Sequence, residues 1–223
     1  VKIAILGAES TGKSELAKQL EQHFIKHGRS VHHVPEYLRT WCDEKKRTPR
    51  KDEQLAIATE QMRQLVTAAF TEPASDILLA DTTSLTVAVY SDLLFNDASL
   101  YDMAIKHHRT FYATLLMGLD LPWVEDGIQR DGVHMREPVD TAMRAALTLG
   151  GISFKVVYGA GESRLHNALL CLNLAGNGGS ADNMTTTAAD VEKKHSQRMR
   201  SWVCERCSDP VCEHRLFRDL IKK

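Results

Sequence analysis

The chain has 223 residues, a formal net charge of -1 and 43% apolar residues, enough for one sizeable α/β domain with a segment left over. Near-neutral charge gives no general attraction to nucleic acid or to an anionic membrane, so neither partner is expected, and no apolar run is long enough to span a bilayer. The first residues enter a strand without the pattern of a secretion signal, so a cytoplasmic protein is expected. In a reducing compartment, five cysteines, three of them close together near the C-terminus, point to metal or free thiols before disulfides.

Val1 to Leu6 is a mostly apolar run. It leads into Gly7-Ala8-Glu9-Ser10-Thr11-Gly12-Lys13-Ser14, which is the phosphate-loop pattern in a strand–loop–helix setting. Gly7 and Gly12 let the backbone turn tightly beside a ligand. The loop N–H groups then cradle polyphosphate, Lys13 reaches the β- and γ-phosphates, and the Ser14 hydroxyl completes a Mg²⁺ shell. Leu16, Ala17, Leu20 and Phe24 form one apolar helical face, and Gly28 suits its C-cap.

Val31 to Val34 is predicted as a second strand, followed by Pro35, Glu36, Tyr37, Leu38 and Arg39. A carboxylate at the C-terminal end of a parallel strand faces the ligand crevice. Glu36 is therefore the first candidate for a base that orients an acceptor hydroxyl and takes its proton, with an Arg39 surface pair as the plain alternative. Tyr37 and Arg39 are further substrate candidates. Trp41 to Asp52, charged and containing Pro49, reads as a loop. A helix then carries Leu55, Ala58, Met62, Leu65 and Ala69 on its inner side.

Ile77 to Ala80 is an apolar strand that ends in Asp81, the Walker B arrangement that delivers a carboxylate to Mg²⁺ or its water. Thr83 is read as touching a substrate hydroxyl or as capping the next helix. Helices are predicted over Leu85–Phe95 and around Leu100–Ala104. His107, His108 and Arg109 form a basic cluster suited to a helix C-terminus. Thr114 to Met117 is a fourth strand.

The stretch from Leu121 to about residue 137 alternates apolar residues with charges and paired glycines. It is read as a lid that presents Arg130 and Arg136 to bound phosphates, with Trp123 stacking in the acceptor pocket and Asp126 binding a ribose hydroxyl or holding the lid shut. A helix over Asp140–Leu149, a strand over Ile152–Tyr158 and a closing helix from Leu165 follow. Arg164 is placed near the nucleotide base. The absence of an Asn-Lys-x-Asp element between Ser14 and the closing helix leans toward ATP over GTP.

The phosphate loop, Pro35-Glu36-Tyr37, Asp81-Thr82-Thr83 and Leu121-Pro122-Trp123-Val124-Glu125-Asp126-Gly127-Ile128-Gln129-Arg130 together resemble the ribosylnicotinamide kinase domain of the NadR family, within a broader group of phosphate-loop ATPases. The resemblance implies a P-loop NTPase fold of the nucleoside- and nucleotide-kinase type, a three-layer α/β sandwich on a mainly parallel five-stranded sheet in the order 2-3-1-4-5. It also implies ATP and Mg²⁺ as cofactors and a nucleoside-type acceptor. The implied reaction is phosphorylation of the ribose 5'-hydroxyl of nicotinamide riboside, with Glu36 on the acceptor side, Asp81 in the Mg²⁺ shell and Trp123 at the acceptor pocket. Two alternatives stand beside it: a kinase for another nucleoside, and a regulatory or signalling ATPase without metabolite kinase activity. Homo-oligomerisation is left open.

The kinase domain is expected over residues 1–174. Residues 175–190, rich in Gly, Asn, Ser, Thr and Ala, read as a flexible linker. Residues 191–223 form a short basic tail in which Cys204, Cys207, Cys212 and His214 are spaced as candidate ligands of one structural Zn²⁺, free thiols being the alternative.

Overall fold

The computed structural model describes residues 1–71, 74–124 and 132–176. Its elements alternate: β1 (Lys2–Leu6), α1 (Lys13–Lys26), β2 (Val31–Val34), α2 (Tyr37–Lys45), α3 (Gln54–Ala69), β3 (Ile77–Asp81), α4 (Ser84–Phe95), α5 (Tyr101–His108), β4 (Ala113–Met117), α6 (Arg136–Leu149), β5 (Lys155–Val157) and α7 (Gly161–Gly176), with short 3₁₀ turns at Lys51–Glu53 and Val133–Met135. The five strands form one sheet in the order β2-β3-β1-β4-β5, every pairing parallel. This is the P-loop NTPase fold with the strand order expected.

Strand side chains alternate between two apolar layers. Ile3, Ile5, Ile77, Leu79, Leu115, Met117 and Val157 pack with Leu16, Ala17 and Leu20 of α1 and Ala168 of α7. Leu6, Leu116 and Val156 face the other way, onto α2 to α6, while Val34, Leu78 and Ala80 pack with Leu65 and Ala68 of α3. Both sheet faces are therefore covered, which is why the strands read as near-continuous apolar runs.

The structure corrects several details of the sequence reading. Residues Trp41 to Lys45 continue helix α2 instead of forming a loop. Tyr37, Leu38, Trp41 and Cys42 make a stripe at helical spacing, and Trp41 and Cys42 are buried. The inner face of α3 is Gln54, Ile57, Ala58, Gln61, Leu65 and Ala68, while Leu55 is exposed. Gln61 can face inward because its amide is used: Oε1 accepts from the Tyr37 N–H at 2.7 Å and Nε2 donates to the Pro35 carbonyl at 3.3 Å. Helix α6 begins at Arg136, earlier than predicted, and β5 is shorter. Residues 177–223, including the tail, lie outside the described residues.

His107 and His108 lie in the last turn of α5 and Arg109 is its C-cap, as expected, but the His108 ring turns inward. It is fully buried, with Nδ1 3.0 Å from Thr83 Oγ1 and Nε2 3.0 Å from Thr114 Oγ1, and its ring stacks on Phe111. Burial, with a smaller contribution from His107, lowers its pKa from 6.5 to about 3. Between these values the unfolded chain binds the proton and the folded chain does not. The stability supplied by neutral His108 is thus present above about pH 6.5 and is lost as pH falls toward about 3. In His108→Gln, urea unfolding across this interval should show a pH dependence flatter by about one proton; an unchanged slope would overturn the assignment.

Candidate functional site

The loop between β1 and α1 is shaped by close packing. Gly7 has φ +151°, and a Cβ there would lie 2.9 Å from the Met117 Cβ on β4. Gly12, at φ +78°, is the N-cap of α1 and has no side chain to satisfy the first-turn N–H groups, leaving them directed at an anion. Thr11 Oγ1 and Lys13 Nζ both donate to the Ala8 carbonyl, at 2.7 and 2.9 Å. Ser14 follows on the first turn of α1.

Strand register brings two carboxylates to this loop. Asp81 pairs with Ile5, two residues before Gly7, and Val34 pairs with Ala80, so Glu36 and Asp81 end neighbouring strands. Asp81 is buried, and its Oδ1 has no hydrogen-bond partner among the described residues. A buried carboxylate oxygen left in this state, sharing a cavity with the Ser14 hydroxyl, fits a hard cation that takes oxygen ligands. The chain leaves β3 through Thr82, a β-branched residue at φ +74°, a strained conformation that costs about 1–3 kcal/mol. It is held there by its N–H to the Ile5 carbonyl at 3.0 Å and by its hydroxyl to Thr86 Oγ1 at 2.6 Å.

Two cavities meet at this point. One, of about 400 Å³, is lined by the loop from Ser10 to Glu15 together with Lys18, His33, Pro35, Glu36, Arg39 and Asp81. The other, of about 420 Å³, runs outward past Glu9, Leu38, Cys42, Thr48, Pro49, Arg50, Gln54, Thr86, Tyr90, Leu94 and Phe95. They share Ser10, Lys13, Glu36 and Arg39. The outer cavity follows α4 from Thr86 to Phe95, a reach of about 13 Å at 1.5 Å per residue.

Glu36 stands at the junction, with Arg39 Nη2 at 3.9 Å from its Oε2. Removal from water raises its pKa above the ordinary 4.5, and the Asp81 and Glu9 charges add to that rise against the opposing Lys13 and Arg39. Such a carboxylate holds its proton more tightly than a solvated one, the property a general base needs near neutral pH. In the outer cavity, the Tyr90 hydroxyl donates to Glu9 Oε1 at 3.4 Å.

Arg164, expected near a nucleotide base, is instead a buried brace. Its guanidinium donates to the Thr11 carbonyl, the Gly159 carbonyl and Asp120 Oδ1, while Asp120 Oδ2 accepts the Gly159 N–H at 2.6 Å. The root of the expected lid lies across the loop: Ser10 Oγ donates to the Val124 carbonyl at 2.8 Å, and the Val124 N–H lies 3.1 Å from Ser10 Oγ. Arg136 opens α6, is buried, and donates to the Leu121 carbonyl at 2.8 Å. Trp123 lines neither cavity. Its indole Nε1 is buried, with no hydrogen-bond partner among the described residues.

Thr83 does not reach the cleft. It is fully buried, caps α4 by accepting the Leu85 N–H at 3.3 Å, and bonds His108. Tyr37 opens α2 and lines neither cavity. Asp126 and Arg130 lie outside the described residues, as do Cys204, Cys207, Cys212 and His214. Among the described residues, no helix is long and apolar enough to cross a membrane. Sequence reasoning missed the outer wall, Thr48–Arg50 with Gln54, Thr86, Tyr90 and Phe95. No local motif marks it, although Thr86 and Tyr90 do share a helical face.

A family model described as an AAA domain matches residues 2–164. No curated protein matches the chain. Among solved structures, a NadR protein in complex with NR is similar with a TM-score of 0.65 and 16% identity, over 82% of this chain and 52% of that one. A NadR protein in complex with NAD and AMP-PNP gives 0.62 and 15%, over 83% and 51%. The chain thus spans about half the length of those proteins. A deoxyadenosine kinase from M. mycoides, with products dCMP and a flexible dCDP bound, gives 0.53 and 17%, over 78% of this chain and 100% of that one.

The Arg164 brace carries its own test. Arg164→Ala removes one partner of a buried charge pair and leaves two loop carbonyls without their donor. It should lower unfolding free energy by about 3 kcal/mol or more and weaken nucleotide binding, while Arg164→Lys falls between. Urea unfolding and nucleotide titration measure both. A loss under about 1 kcal/mol, the range of exposed pairs, would show the brace to be dispensable.

Proposed function

The chain belongs to the AAA domain family, and from that premise we propose an ATP-dependent small-molecule kinase that phosphorylates the ribose 5'-hydroxyl of nicotinamide riboside, giving nicotinamide mononucleotide and ADP. The observation that carries the reading is the pair of cavities joined at Lys13, Glu36, Arg39 and Ser10. A simple nucleotide hydrolase needs only the first cavity. A second, of nucleoside size, opening onto the same lysine and carboxylate suits an acceptor presented in line with the terminal phosphoryl group. The NadR complex with NR, which we read as nicotinamide riboside, and the deoxyadenosine kinase favour a nucleoside as that acceptor.

In this reading the loop N–H groups and Lys13 bind the β- and γ-phosphates. Glu36 orients the acceptor hydroxyl and takes its proton as the oxygen attacks. Ser14 and Asp81 would hold Mg²⁺, which supplies charge neutralisation between the phosphates when bound. Arg136 and Trp123 line neither cavity as they stand; in this reading closure of the lid would bring Arg136 and Arg130 to the phosphates and Trp123 and Asp126 to the acceptor. The Zn²⁺ site at Cys204, Cys207, Cys212 and His214 is proposed as structural and separate from transfer.

Two measurements test the proposal. ADP release should depend on the acceptor, with nicotinamide riboside ahead of adenosine, guanosine, cytidine and uridine. Equal release with and without every acceptor would replace the kinase by a regulatory ATPase. Glu36→Gln should retain nucleotide binding and lose at least about 100-fold in transfer, the lower range for a general base. In the parent, kcat should fall on the acid side as Glu36 takes up a proton at a pKa above the ordinary carboxylate value. An acid limb that persists unchanged in Glu36→Gln assigns the titration to another group.

A further inference from the structure

Two glutamines face inward from α3, two turns apart, and they are not equivalent. Gln61 is buried and has both ends of its amide occupied at the Pro35–Tyr37 corner. Gln54 is also buried, only 5% exposed, yet its amide is barely used. Its Nε2 reaches one carbonyl, that of Arg50, at 3.4 Å, beyond the usual range of an N–H···O bond. Its Oε1 accepts from no described residue. Burying an amide in this condition is costly. The side chain lines the outer cavity, so a ligand there can supply the partners that the chain does not.

The helices place Gln54 at the end of that cavity remote from the transfer site. The Tyr37 N–H held by Gln61 is one residue from Glu36. Gln54 lies two turns earlier on the same face of α3, a distance of about 10 Å at 1.5 Å per residue. Helix α4 packs alongside in the opposite sense. Its first turn is tied next to Asp81 by the bond between Thr86 and Thr82. At its other end the Phe95 carbonyl accepts from Lys51 Nζ at 3.3 Å, at the turn that leads into Gln54. Glu36 and Asp81 thus mark one end, and Gln54 with Phe95 the other. Gln54 is also the wall between this cavity and an open groove of Lys51, Leu55 and Asp97 beyond it.

We propose that Gln54 is the specificity-determining residue for the acceptor's base, and that it selects a neutral edge carrying one hydrogen-bond donor beside one acceptor. A Gln side chain offers a carbonyl oxygen and an NH₂ group in one plane. A base edge with the complementary pair satisfies both at once. A bare ring edge leaves the Gln54 amide buried and unpaired, the situation in which a polar site discriminates most strongly. The carboxamide of nicotinamide riboside has such an edge, and so does adenine, with its exocyclic amine next to a ring nitrogen. The inference rests on the acceptor reading of this cavity and adds to it the residue that reads the base.

The test uses two matched acceptor pairs with the full chain. Nicotinamide riboside is paired with ribosylpyridinium, which lacks the carboxamide, and adenosine with purine riboside, which lacks the exocyclic amine. In whichever pair is phosphorylated, the member with the donor–acceptor edge should exceed the other in kcat/KM by about tenfold or more. Gln54→Leu should bring this ratio to within about threefold. Gln54→Glu, which at neutral pH accepts but does not donate, should fall between. Gln61→Leu, buried on the same helix face, should lower stability and leave the ratio unchanged. The ratio compares two acceptors on one protein, so a general loss of folding does not produce the result. A parent that treats both members of a pair alike, a preference that survives in Gln54→Leu, or a ratio that collapses equally in Gln61→Leu would overturn the inference and leave the kinase reading intact. Phosphorylation of another nucleoside but of neither pair has the same consequence. ADP release independent of every acceptor removes both.

Discussion

The phosphate loop keeps its shape because a guanidinium from the far end of the domain is locked beneath it. Arg164 enters from α7, ties the Thr11 carbonyl to the Gly159 carbonyl after β5, and is neutralised by Asp120 after β4. One side chain therefore joins segments that follow three different strands. A loop whose N–H groups all point inward must turn its carbonyls outward, and those carbonyls need donors. Arg164 supplies one of them where water is largely excluded. Gly12 beside it is at φ +78°, a backbone conformation that side chains rarely adopt, and a Cβ there would press on Leu121 Cδ1 at 3.2 Å.

A second buried network holds the opposite side of the cleft. Thr82 adopts its left-handed conformation next to Asp81, and the cost is offset by bonds to Ile5 and Thr86. Thr83 begins α4 and meets His108 of α5, which in turn reaches Thr114 on β4. The carboxylate at the tip of β3 is thus set by strain on one side and by a neutral imidazole on the other. Few routes exist for Asp81 to move without disturbing the packing between α4, α5 and the sheet.

What was legible in the sequence was what is encoded locally. The loop motif, the apolar strand runs and the acidic ends of β2 and β3 each occupy a few consecutive residues, and the strand order followed from the family they resemble. Helix α2 was hidden because its stripe of Tyr37, Leu38, Trp41 and Cys42 is diluted by charges that point outward. The face of α3 was misassigned by one position because Gln54 and Gln61 are buried polar residues, and Gln61 finds partners only at the Pro35–Tyr37 corner. Arg164 and Thr83 look like ligand contacts by position. Their partners, at Thr11, Asp120 and His108, are distant in sequence and become visible only in the folded chain. The outer wall is assembled from three helices and a turn, so no pattern in any one of them announces a cavity.

The shared wall between the two cavities has a thermodynamic consequence. Lys13, Glu36, Arg39 and Ser10 belong to both, so a ligand in one alters the charges and geometry met by a ligand in the other. By linkage the effect is reciprocal: whatever factor the first ligand imposes on the affinity of the second, the second imposes on the first. Lys13 acts on Glu36 through space, so a ligand that draws the ammonium away leaves the carboxylate more in need of a donor. Occupancy of the two cavities is therefore a cooperative property of four side chains, with no movement between distant parts of the fold required.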